Sequence, residues 1–498
     1  MLFLGIEINQ SGTQVVALDL EAARIVEEAS FPHPWIEGLP GEYREQDPAA
    51  WIAAADHAMR QCLSRLGEEK SQVAAMSVAG PMRGMVALDA ENRIVRPAKM
   101  AGDMSTRRQA EEIALAFGGA PGLIEMTGNP VSAESAAAEC LWLKQHEPYH
   151  FQRAACLLSA QDFIAYWLTG ERATEPGSAS ASGLFDVRSR AWSGELVDYI
   201  DPGLRDLLPL VASPLEPRGA LRPALARAWG LSQHVLVGAG SCAPMLAVVA
   251  SGSVDAGSVS IDLGSVGMTS GVGGAPLIDL RGELASLCDA TGQWLAMAET
   301  SNAVAAPELI RRQYGWSPAQ FDAAADSISP GADGLLFLPY LTGEKTPRLP
   351  DGRGVLHGIS LDNFTPAHLA RAAAEGVALG IGYGLSRLRD MGFDPREIRL
   401  TGSGADGVMR QLLADTCGVA VTCPATRQGA AVGAAIQAAV AFFRHSGESL
   451  GFGEMVKYLV TEDLAARREP DMARHEQYQG QMSRQQYLVA TLHPGGFL

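Results

Sequence analysis

The run VLVGAGSCAP, residues 235–244, leads an apolar strand into a glycine turn and presents Ser241 and Cys242. A serine on a sharp strand-to-turn corner between small neighbours has the outline of a nucleophile elbow, whose chemistry is covalent acyl transfer. That chemistry needs an acid and then a histidine downstream, and His357, His368, His445, His475 and His493 are available. Ala239 and Ala243 stand where an elbow has glycines, which counts against it.

A second chemistry lies in three turns that follow strands: NQSGT at 9–13, GSVG at 264–267 and GSGADG at 402–407. Glycine and hydroxyl residues in such turns let several backbone N–H groups converge on a phosphate, so an acidic chain can still hold a nucleotide. A tight turn also needs glycine for backbone reasons alone. The signal is therefore in three such turns in order along one chain.

The elements that position these turns are those of an α/β chain. Strands are expected at 2–8, 13–19, 74–78 and 85–89, and helices at 51–66 and 106–117, the latter with Ala110, Ile113, Ala114 and Phe117 on one face. A second set follows, with strands at 258–263, 267–271 and 398–401 and a long helix at 369–391. The two halves rhyme: LGIEINQSGTQVVALD and VSIDLGSVGMTSGVGG each run strand, acid, small turn, strand. Gly376, Gly380 and Gly384 give the long helix a face without side chains, expected to pack on a sheet. The polar segment 442–498 has no readable motif and is expected to be helical packing or a tail.

Composition bounds the rest. A chain of 498 residues exceeds one ordinary core and fits two large α/β domains. With 39 basic against 56 acidic residues the net charge is -17, which excludes a general affinity for nucleic acid or anionic membrane. Seven cysteines without a CxxC pair disfavour a disulfide framework and a zinc site, so reduced thiols and a cytoplasmic location are expected. No signal peptide or membrane helix is expected either.

Seven passages then identify a family. EYREQDPAAW (42–51), SVAGPMRGMVALD (77–89), TGN (127–129), LWLKQHEP (141–148), FLPYLTGEKTPRLPDGRGVLHGIS (337–360), LARAAAEGVALGIGYGL (369–385) and TGSGADGVMRQLLADTCG (401–418) resemble the FGGY carbohydrate kinases, within them the xylulokinase branch. The resemblance implies two actin-like ATPase (ribonuclease H-like) domains around a central cleft. Residues 1–245 would form the sugar-binding side, 246–441 the nucleotide-binding side, and 442–498 a C-terminal helical extension. It also implies transfer of the γ-phosphoryl group of ATP, with Mg2+, to a hydroxyl of a ketose or polyol. Nucleic acid and membrane are not among the implied partners, and a homodimer is one open option.

The resemblance assigns roles by position. Nucleotide binding falls to Gln10, Ser11, Gly12, Gln14, Gly264, Ser265, Gly402, Ser403, Gly404 and Ala405; sugar binding falls to Met82, Arg83, Asp103 and Cys242. Where the family has an aspartate near magnesium, this chain has Glu7, one methylene longer. Gln14 replaces a lysine or arginine, and Asp262 is an extra acid that could hold the metal instead. The family's Q-M-H-G turn reads Pro81, Met82, Arg83, Gly84, and W-N-D reads Ala101, Gly102, Asp103. Arg83 suits a substrate bearing an acid group, or else a structural ion pair.

VLVGAGSCAP aligns with G-G-G-D-N, whose aspartate is the general base, so the acid is replaced by Ser241 and the asparagine by Cys242. A serine does not accept the hydroxyl proton at neutral pH unless another base activates it. Two readings follow: a kinase impaired or altered in specificity, or a catalytically inactive kinase-like protein that binds sugar or nucleotide in a regulatory role.

Overall fold

A computed structural model describes residues 1–264, 266–425 and 429–498. Two mixed sheets share one design. The first runs Gly219–Ala220, Leu236–Val237, Val73–Gly80, Leu2–Ile8, Gly12–Asp19, Arg24–Pro32; the second runs Ala285–Cys288, Trp294–Thr300, Gly267–Gly273, Ser258–Leu263, Glu397–Thr401, Val421–Thr422. In each, an opening strand pairs antiparallel with its hairpin partner on one side and parallel with a crossover strand on the other. This is the duplicated plan expected of two actin-like ATPase domains.

The strand period explains the layers. Leu2, Leu4, Ile6 and Ile8 pack in the core that holds Trp51, Met59 and Leu63 of the helix Pro48–Leu66, while Phe3 belongs to the opposite core with residues of the helices Ala243–Ser251 and Ala430–His445. Gly5 is needed where the last of these helices meets the strand, because a Cβ there would stand 1.7 Å from the Ala431 carbonyl oxygen. The two helices meet as closely at Gly433, whose Cβ would stand 1.8 Å from the Leu246 carbonyl oxygen. A helix from late in the chain thus lies on the first sheet, and Ser77 Oγ donates to Gln437 Oε1 (2.8 Å) across that contact.

The long helix spans Pro366–Asp390 and is buried along most of its length. A Cβ at Gly376 would meet the Phe337 carbonyl oxygen at 2.4 Å and one at Gly384 the Ala298 Cβ at 2.9 Å. Its glycines serve packing, as expected. The terminal segment is docked rather than loose: Tyr478, on the helix Met472–Leu492, donates to Glu375 Oε1 (2.8 Å) and accepts from Arg371 Nη2 (2.7 Å) on the long helix. All seven cysteines are free and buried. Among the described residues no helix is long and apolar enough to cross a membrane.

Candidate active site

The elbow run forms two strand fragments, Leu236–Val237 and Ser241–Cys242, and the second pairs in parallel with Ala79 and Gly80. Between them Gly240 adopts a φ of +71°, and its N–H donates to Ser77 Oγ (3.1 Å). Gly240 suits that corner because the left-handed region penalises a Cβ. The turn drives Ser241 inward, where it is 0% exposed.

There the Ser241 hydroxyl donates to Glu175 Oε1 at 2.8 Å. Glu175 is the N-cap of the short helix Pro176–Ser180 and also accepts from the N–H groups of Gly177 and Ser178 (2.6 Å each) and from Ser178 Oγ (2.9 Å). It is 0% exposed, and burial pushes its carboxyl up to about 7 against the pull of these bonds. Gly177 closes over the pair, since a Cβ there would lie 2.8 and 3.0 Å from the two carboxylate oxygens and 3.0 Å from Ser241 Oγ.

Sequence reasoning missed Glu175. An acid directly before a proline, with glycine and serine following, signals a helix start, but nothing local announces a partner 66 residues away. The Ser241 hydroxyl bonds to Glu175 and to none of the five downstream histidines, so the acyl-transfer reading lacks its histidine. His357, His368 and His475 instead contact Arg484, Thr365 with Asp333, and the Asp415 carbonyl. Cys242 is buried and accepts from Gln161 Nε2 (3.3 Å), and burial raises its thiol pKa.

The metal candidates sit at equivalent ends of the two opening strands. Glu7 Oε2 accepts from the N–H of Ala431 (3.1 Å) at the start of the helix Ala430–His445, and Asp262 Oδ1 accepts from Thr401 Oγ1 (3.1 Å). Burial raises both carboxyls, and the Asp262 charge raises Glu7 further. Two desolvated acids that repel one another fit a divalent cation, which would relieve both costs while keeping most of its ligands as water or phosphate. Among the described residues no cluster of three or more acid, histidine or cysteine side chains offers a denser metal cage.

The phosphate turns divide. A Cβ at Gly402 would stand 2.6 Å from both Asp262 Oδ1 and the Leu263 carbonyl oxygen, one at Gly264 would stand 3.6 Å from Asp262 Oδ2, and Gly404 N–H donates to the Leu263 oxygen (2.9 Å). The second and third turns therefore converge on Asp262, with Gly402 and Ser403 exposed and Ala405 buried beneath them. Ser265 lies outside the described residues. The first turn is closed on itself: Asn9 Oδ1 accepts from the N–H of Ser11 (2.9 Å), Ser11 Oγ (2.8 Å) and the N–H of Gly12 (3.0 Å). Gln10 is exposed and its carbonyl accepts from Gln46 Nε2 (2.8 Å). Gln14 stands opposite Glu7 in register, with its amide turned to Glu28 (3.4 Å).

Met82 and Arg83, two of the residues expected to bind sugar, line a cavity with Glu134, Glu139, Asp162 and Ser178, among others. Arg83 Nη1 donates to the Ala181 carbonyl (3.4 Å), and its Nε is 4.0 Å from Glu134 Oε2. Lys345 reaches the same Glu134 oxygen (4.0 Å) from the second half of the chain and pairs with Glu299 at 2.6 Å. Glu139 is pushed up to about 8 by burial. Asp103 is only 2% exposed and ties its own loop to the segment at Arg44: it accepts from the Arg44 N–H (2.8 Å) and from the Ser105 N–H and hydroxyl (3.0 and 2.5 Å), with Lys99 Nζ at 3.6 Å.

Comparison with known proteins places this geometry. Residues 2–250 match the N-terminal domain, and residues 267–442 the C-terminal domain, of the FGGY family of carbohydrate kinases. The xylulose kinase of Escherichia coli is 32% identical over 451 residues, covering 88% of this chain and 89% of that one. The xylulose kinase of Haemophilus influenzae is 29% identical over 444 residues, covering 88% and 90%. Among solved structures, a xyloylose kinase from Brucella ovis superposes with a TM-score of 0.91 at 26% identity, covering 99% and 100%. A xylulose kinase from Rhodospirillum rubrum gives 0.90 at 27%, covering 99% of each chain. With both halves matched in order around one pair of hairpins, the chain belongs to the FGGY family of carbohydrate kinases.

Proposed function

We propose that the protein transfers the γ-phosphoryl group of ATP to a hydroxyl of a ketose, polyol or sugar acid, more slowly than its xylulose kinase relatives. The observation that carries this reading is the facing pair Glu7 and Asp262, two desolvated acids at equivalent positions of the two hairpins. They would hold the divalent cation, Mg2+ by family resemblance, and bound there it would offset charge on the transferring phosphates. Glu7 keeps its position through the Ala431 N–H, so the helix Ala430–His445 orients the acid. Asp262 is oriented by Thr401 and overlain by the Gly402 turn. Arg83 lines the cavity among the acids Glu134, Glu139 and Asp162, and its guanidinium is the feature that supports a substrate carrying a carboxylate.

The lower rate follows from position 241, where a serine leaves no carboxylate to take the acceptor proton directly. Loss of a general base costs about 10²- to 10⁴-fold, and the loose transition state of phosphoryl transfer relies more on position and charge than on proton removal. A second reading, binding without turnover in a regulatory role, is favoured by the first phosphate turn, whose Ser11 and Gly12 amides are already held by Asn9. Purified protein with Mg-ATP and a panel of ketoses, polyols and sugar acids separates the two. Sugar-dependent ADP release by the wild type supports the kinase, and release only by Ser241→Asp supports the non-catalytic binder.

A further inference from the structure

We propose that the proton acceptor of the transfer is Glu175, reached through the Ser241 hydroxyl, so that a carboxylate absent from position 241 is supplied from 66 residues upstream. This rests on the kinase reading above. Ser241 Oγ is 2.8 Å from Glu175 Oε1, both residues are 0% exposed, and Gly177 leaves no room for another side chain over them. Capping the helix Pro176–Ser180 uses the acceptor capacity toward the N–H groups of Gly177 and Ser178 and does not require the Ser241 bond. The serine therefore ties the acid to the position where this family places its base.

In the step, the acceptor hydroxyl oxygen forms a bond to the γ-phosphorus as the bridging bond to the β-phosphate breaks, its electron pair leaving with ADP. The hydroxyl proton passes to Ser241 Oγ as the serine's own proton passes to Glu175 Oε1, and Glu175 then returns it to water. Two protons move and one is released, so the relay ends with neutral serine and carboxylate. The helix that covers Ser241 is fastened to the second domain, with the Cys288 N–H donating to Ser180 Oγ (3.0 Å). Access of the acceptor hydroxyl to Ser241 is thereby coupled to movement of the domains.

The titratable groups that feel Glu175 are the thiols of Cys242, on the strand beside it, and Cys288, from the second domain. Burial raises both, Cys288 to about 12, so neither titrates near neutrality. The nearby Asp162 is held in an ion pair with Arg218 (2.5 Å). With the Glu175 carboxyl near 7, the relay accepts a proton only above that value, and turnover rises with pH through about 7.

The test is sugar-dependent ADP release between pH 5.5 and 9 by wild type, Glu175→Gln, Ser241→Asp and the double variant Ser241→Asp/Glu175→Gln, with circular dichroism to confirm folding. Expected are a loss of about 10²- to 10⁴-fold and of the rise near pH 7 in Glu175→Gln, with turnover recovered in the double variant. Wild-type turnover and pH profile in Glu175→Gln would overturn the proposal, and so would a loss that the double variant does not recover, which would mark Glu175 as structural. An inert wild type beside an active Ser241→Asp overturns the relay and the kinase reading together, in favour of the non-catalytic binder. Inert wild type and inert Ser241→Asp with every sugar overturn the kinase reading and the relay with it.

Discussion

At position 241 the only reactive group is a hydroxyl, and what it can do depends on the carboxylate 2.8 Å away. Glu7 and Asp262 were legible in the sequence because each ends a strand whose period is plain and precedes a small-residue turn. Glu175 was not, because its role depends on a tertiary meeting that no local pattern encodes. Asp103 shows the converse, an acid at a motif position whose oxygens are taken up by the backbone of Arg44 and Ser105. Two predictions belong here. Asp262→Asn should raise the divalent cation concentration for half-maximal ADP release at least ~10-fold, and an unchanged titration would remove Asp262 from the metal site. Asn9→Ala should free the Ser11 and Gly12 amides, tightening ATP binding about 10-fold in calorimetry while costing about 1 kcal/mol of stability; weaker binding would mean that Asn9 supports the turn in its binding form.

The hairpins and the long helix were readable from hydrophobic period and glycine placement, with ends displaced by a few residues: 369–391 expected against Pro366–Asp390 observed. The partner of the helix Ala430–His445 was not readable. Its small apolar residues fit either sheet, and the close approach at Gly5 together with the Ser77–Gln437 bond shows that it rides on the first. That contact links the Glu7 carboxylate to the helix start, so packing and site geometry share one surface. Gly5→Ala should therefore cost about 3 kcal/mol in denaturant unfolding, since neither backbone can yield to a Cβ at 1.7 Å. A stability within 0.5 kcal/mol of wild type, the ordinary range for an unconstrained site, would contradict this packing.

Across the whole molecule, the halves are joined by contacts between loops and strands as well as by the shared helices. Asn129 donates to the Ser286 carbonyl (2.6 Å) and accepts the Ser286 N–H (2.8 Å), pairing a loop of the first half with an edge strand of the second. Trp294 Nε1 donates to the Val187 carbonyl (2.9 Å) nearby. Asn129→Ala removes two of these links and should enlarge the radius of gyration of the ligand-free protein in small-angle scattering; an unchanged value would show that the remaining contacts suffice to hold the halves together. Two-fold duplication was visible in the sequence, whereas the closeness of the halves was not, because the joining residues sit in loops without periodicity.

The central claim is phosphoryl transfer by this chain despite a serine at the base position. Phosphorus NMR of wild-type protein with Mg-ATP and each sugar of the panel tests it directly. The account predicts a new sugar phosphate monoester signal growing in step with ADP for at least one acceptor. ATP that remains intact, or that yields only inorganic phosphate with every acceptor, would contradict it.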